Sequence, residues 1–151
     1  MRKHPRAKRL QVLLDMAERE EQELLRRWGE LQQQLQAEQQ QRQQLVSYNN
    51  EYQQRISTPG QGMVSAGTLH ATLGFMQQIE RALQQQSEKL NLLQKQTEQA
   101  RQRYLEQHGK VRALTGLMDK LDLEHAAGEE KQQQKLADEW ANRAAALRQQ
   151  R

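Results

Sequence analysis

The side chains best suited to chemistry in this chain are four histidines, His4, His70, His108 and His125. Only His125 has a carboxylate at a ligand-like spacing. Glu129 lies one helical turn away, so on a helix the pair would form one edge of a metal site. Two ligands without a third make a weak signal, and a solvated helix pair is the better reading. The chain has no cysteine, which excludes a disulfide framework and thiolate metal ligation and is consistent with a reducing compartment. There is no glycine-rich phosphate loop, no nucleophile elbow and no pair of carboxylates in a concave setting. The expectation is a protein that is not an enzyme and holds no metal or cofactor.

Charge is the second chemical resource, and it is concentrated. Arg2, Lys3, Arg6, Lys8 and Arg9 precede the first acid, Asp15; taking these five from the formal +4 leaves the rest of the chain near −1. The isoelectric point of 9.6 therefore describes a basic end, not a basic face. Cations at a helix N-terminus oppose the macrodipole, at roughly 0.3 to 1 kcal/mol each near the first turn. That cost points either to an acidic partner or to a solvated terminus.

The elements that would carry these groups are helices. Hydrophobic residues make up 35% and aromatics 4% of the 151 residues, and mean hydropathy is −1.11, too little apolar surface for a broad core. Gln, Glu, Lys, Arg, Leu and Ala dominate, all of which lose little side-chain freedom in a helix. A first seam, stepping alternately four and three, runs from Leu10 through Leu14, Leu24, Trp28, Leu31, Leu35, Leu45 and Tyr52 to Ile56. Ten of its fourteen positions are apolar, where composition alone gives about five. A second runs from Met76 through Ile79, Leu83, Leu90, Leu93, Val111 and Met118 to Leu121, with three polar positions in fourteen. A period near 3.5 sustained this long implies paired, left-handed supercoiled helices.

Between the seams, Pro59, Gly60, Gly62 and Gly67 break the helix. The expected layout is a single all-α coiled-coil domain over 1–151, a long antiparallel two-helix hairpin. Helix one covers about 6–57, a loop 58–67, helix two about 68–126, and a terminal helix about 129–147. Pro5 suits the first turn of helix one, and Ser65 or Thr68 could cap helix two. Helix one would be an arm of roughly 75 Å. Folding back about the loop puts residue i near 125 − i, with Trp28 opposite Thr97 and Ala100, and Tyr104 opposite Glu21. Beyond Gly128 the apolar positions Leu136, Trp140, Ala144 and Leu147 fall out of phase with the seam, marking a stammer or a kink.

Apolar groups that the seam does not use are the candidate binding residues. Tyr48 joins Leu45 and Tyr52 in a stripe spilling onto the outer face, and Phe75 begins a second, through Ile79 and Ala82 to Gln86. This is either a widened seam or a patch for another protein. Trp140 is either packed on the neighbouring helix or an anchor for a partner. The glutamine runs at 32–34, 39–41, 84–86 and 132–134 read as a neutral, solvated helix face. No apolar run approaches ~18 residues, so no membrane insertion is expected, and the segment after the basic end lacks the apolar stretch of a secretory signal.

Several stretches resemble the flagellar export protein FliJ family of the bacterial flagellar type III secretion apparatus. They are Leu45-Val-Ser-Tyr-Asn-Asn-Glu-Tyr52, Phe75-Met-Gln-Gln-Ile-Glu-Arg-Ala-Leu83 and Leu136-Ala-Asp-Glu-Trp-Ala-Asn-Arg-Ala-Ala145. The resemblance implies a soluble cytoplasmic protein, peripherally associated with the inner face of the cell membrane, with a coiled coil similar to the central stalk of rotary ATPases. It implies binding to the export ATPase FliI, to the export gate protein FlhA and to export chaperones. Carried onto matching positions, the gate-binding face would be Gln41, Leu45, Tyr48, Tyr52, Phe75, Ile79, Ala82 and Gln86. By analogy with a rotary stalk, Arg2, Lys3, Arg6, Lys8, Arg9 and Trp140 would meet the ATPase ring.

Two alternatives belong beside this reading. A stalk protein of a virulence type III system would share the architecture, although the Tyr48 and Tyr52 element favours the flagellar one. A nucleic-acid-binding coiled coil would use the basic end, but neither arm carries a basic stripe or interleaved aromatics for stacking, so no nucleic-acid partner is expected.

Overall fold

The computed structural model describes residues 5–57 and 66–149. Among these the chain forms two helices, α1 (Pro5–Ser57) and α2 (Ala66–Gln149). Pro5 opens α1, where its missing N–H and fixed φ cost least. The expected loop lies mostly outside the described residues, but Ala66 and Gly67 are already helical. Thr68, a candidate cap, lies inside the first turn, where its carbonyl accepts a hydrogen bond from the Thr72 hydroxyl at 2.8 Å.

Of the two readings of the terminal segment, a continuation of the second helix or a kink away from it, the continuous course of α2 matches the first. α2 continues through Gly128 without interruption, because one glycine costs only about 1 kcal/mol and strong helix formers flank it. The change of phase after Gly128 moves the apolar residues to another face of the same helix.

The chain divides into two compact units, one of Met1–Gln22 with Leu105–Arg151 and the other Glu23–Tyr104. In each, α1 and α2 run antiparallel along a seam. In the first unit Leu14, Val111 and Met118 form the buried cluster, with Leu10, Ala17 and Leu114 packed on it, and Met118 has no exposed surface. In the second, Leu31, Leu93 and Ala100 are buried beneath Trp28 and Leu35. The seam is one side chain wide because each helix presents one apolar stripe where the two pair.

Polar residues within the seam fix the register. The Gln107 side-chain amide donates to the Ala17 carbonyl at 3.1 Å in the first unit, and Gln86 donates to the Glu38 carbonyl at 3.2 Å in the second. Both pairs set residue i against 124 − i, one residue from expectation. The Tyr104 pairing differs more. Its ring stacks on Trp28, centroids 5.6 Å apart, while the Glu21 carboxylate lies 3.2 Å from His108 Nδ1. Helical side chains lean toward their own N-terminus, so across an antiparallel pair two long side chains reach toward each other and meet beyond the level of their Cα atoms.

Burial predicts the energetic weight of each position. Leu31→Ala, at a site 4% exposed, is expected to lower unfolding free energy by about 2–5 kcal/mol. Leu92→Ala, at a site 56% exposed, should change it by less than about 0.5 kcal/mol. Urea unfolding followed by far-ultraviolet dichroism checks both. A Cβ added at Gly109 meets no neighbouring atom, so Gly109→Ala should stabilise by about 0.5–1 kcal/mol in the same assay.

Candidate protein-interaction surfaces

The second unit carries an aromatic group on the outer edge of its seam. Tyr52 is half-buried and meets the Phe75 ring edge-on, centroids 5.3 Å apart at 61°, with the Arg55 guanidinium 5.6 Å from the Tyr52 centroid. This contact uses one side of each ring and leaves Phe75 49% exposed. Tyr48, one turn before Tyr52, is 54% exposed. It borders a shallow cleft lined by Gln40, Gln43, Gln44 and Ser47, a surface of amides beside a phenol.

The eight residues of the expected gate-binding face therefore differ in access. Gln41, Tyr48 and Phe75 are exposed, Leu45, Tyr52 and Ala82 are half-buried, and Ile79 and Gln86 are buried in the seam. Gln86 is occupied internally. Its amide also lies 3.3 Å from the Glu38 carboxylate, which receives Lys89 Nζ at 2.7 Å. These two donors, Lys89 foremost, hold the Glu38 carboxyl below its usual value of 4.5. Lys89 was not singled out from the sequence, because nothing in α2 alone shows that a carboxylate of α1 lies beside it.

In the first unit, Arg6, Lys8 and Arg9 are exposed along the opening turns of α1, whose first turn holds no acid. Arg2 and Lys3 lie outside the described residues. Next to the basic segment Val12, Leu13 and Met16 are 60%, 52% and 61% exposed, an apolar surface that sequence reasoning passed over. The signal was available, since three large apolar residues off the seam period need another use. Trp140 is 70% exposed on α2. His125 Nε2 and Glu129 lie 3.2 Å apart as a local helix pair, and no group of three potential ligands for a metal occurs among the described residues. No helix among them is long and apolar enough to cross a membrane. What the arrangement offers chemically is contact surface.

Residues 6–150 match the sequence profile of the family described as Flagellar FliJ protein. The chain belongs to the FliJ family. A flagellar FliJ protein of Salmonella typhi is 29% identical over 137 residues, covering 90% of this chain and 92% of that protein. One from Escherichia coli (strain K12) is 26% identical over 136 residues, with the same coverage. No solved structure matches. Membership in the FliJ family makes this a flagellar protein of the export system, and its helical hairpin is the coiled coil that the heptads require.

The Glu38 site gives a pH dependence of known sign. A carboxyl held below its unfolded value stabilises the fold above the unfolded value, and that contribution is lost as pH falls through the folded one. Glu38→Gln should therefore lower the melting temperature at neutral pH. The gap between wild type and variant should close as pH falls from about 7 to about 3. Melting curves across that range are the check.

Proposed function

We propose that this chain is a non-enzymatic component of flagellar type III export, binding and stimulating the export ATPase FliI and engaging the export gate protein FlhA and substrate chaperones. It would act as one coiled-coil domain in the cytoplasm, at the inner face of the membrane. The observation that carries the reading is that Tyr48 and Phe75, two of the chain's few aromatic residues, lie exposed at the seam edge of one unit. Aromatic side chains at a sparse surface are favoured anchors for protein partners, because they bury a large area for few rotatable bonds.

On this reading the gate meets Gln41, Tyr48 and Phe75 directly. Leu45, Tyr52 and Ala82 form the bed beneath them, and Ile79 and Gln86 hold the two helices in register under the patch. The ATPase ring would meet the other unit through Arg6, Lys8, Arg9 and Trp140, joined by Arg2 and Lys3. The basic segment suits acidic groups on that ring, whose approach would relieve the unfavourable interaction with the helix dipole.

Tyr48→Ala combined with Phe75→Ala should weaken binding to the purified cytoplasmic part of the gate by about tenfold or more, with the far-ultraviolet dichroism unchanged. Undiminished affinity would refute the patch. Deleting residues 1–9 and the tail after Gly128 should abolish stimulation of the ATPase while sparing gate binding, and full stimulation by the truncated chain would remove the second assignment.

A further inference from the structure

From Ala126 to the end of the described part of α2, every side chain is exposed. This segment nevertheless carries an apolar stripe. Leu136, Trp140, Ala144 and Leu147 follow at i, i+4, i+8 and i+11 on one helix face, and Leu136, Trp140 and Leu147 are 51%, 70% and 67% exposed. Between 126 and 149 there are four acids and four bases, so the segment is neutral and like-charge repulsion does not keep identical copies apart.

We propose that this face pairs with the same face of a second copy of the chain, antiparallel about a two-fold axis. In such an interface residue i meets j of the partner and j meets i, so the stripe must complement itself. It does. With Trp140 set against the partner's Ala144, each indole faces a small residue, and Leu136 meets the partner's Leu147. The residues one position before Trp140 and Ala144 are Glu139 and Arg143. In an antiparallel pair like flanks face each other, so Glu139 meets the partner's Arg143 and the reciprocal pair forms as well. The opposite flank is Ala137, Ala141 and Ala145, small enough to let the helices approach closely.

Three large apolar side chains per copy fall short of the ~1,200 Å² that stable interfaces bury, so the association is reversible, in the micromolar range or weaker. The inference does not rest on the proposed function. It bears on it, because self-pairing and docking on the ATPase ring both cover Trp140 and exclude each other.

Sedimentation equilibrium of the full chain over a concentration series, with dichroism to confirm helicity, tests the pairing. Wild type should show a monomer–dimer equilibrium. Trp140→Ala and Glu139→Arg should each raise the dissociation constant by about tenfold or more, the latter by setting arginines of the two copies together. Glu139→Arg combined with Arg143→Glu recreates both ion pairs with the signs exchanged and should restore the dimer. A wild-type chain that stays monomeric into the millimolar range overturns the proposal, and capture of its tail by the purified ATPase hexamer would then assign the face to the ring. A dimer indifferent to Glu139→Arg, or one that the double exchange does not restore, overturns it as well.

Discussion

The structure depends on a hydrophobic seam one side chain wide. Where α1 and α2 pair, each presents one apolar stripe and buries it against the other. This suits a chain whose surface is mostly glutamine, lysine, arginine and glutamate, since these residues favour the helix wherever they fall. A narrow core also has little tolerance for displacement. Leu14, Val111 and Met118 in one unit, and Leu31, Leu93 and Ala100 in the other, form its buried clusters.

A uniform apolar seam of this kind would slide. The polar positions within it, Gln86, Thr97 and Gln107, weaken burial locally, and two of them hydrogen-bond a backbone carbonyl of the opposite helix, which is satisfied in one register only. Thr97 turns its hydroxyl back to the Leu93 carbonyl at 2.7 Å and so spans nothing between helices. Gln86 thus belongs to alignment of the helices, which explains why a residue matched to a binding face lies buried.

Groups that the seam leaves exposed distinguish the two units. In one unit they are Tyr48 and Phe75 at the aromatic edge; in the other they are the basic opening of α1, the apolar residues beside it and the exposed stripe of α2. Membership in the FliJ family gives the molecule a setting in flagellar export.

Periodicity and composition alone determined the two helices, their antiparallel seam and the register to within one residue, because a 3.5-residue apolar repeat has a single way to be buried. They also determined that Tyr48, Phe75 and Trp140 were surplus to it. Tertiary structure decided which surplus groups stay accessible. It seated Ile79 and Gln86 inside, drew Tyr52 against Phe75, joined Lys89 to Glu38 and carried Tyr104 from Glu21 to Trp28. Each of these depends on how far a side chain leans along its helix and what waits across the seam, and neither can be read from one helix by itself. The phase shift after Gly128 is the converse case. The sequence marked its position, but only the structure shows that the backbone continues through it and that the described part of α1, starting at Pro5, does not reach it, because helix continuity is a local backbone matter and the burial of a face depends on what lies beside it.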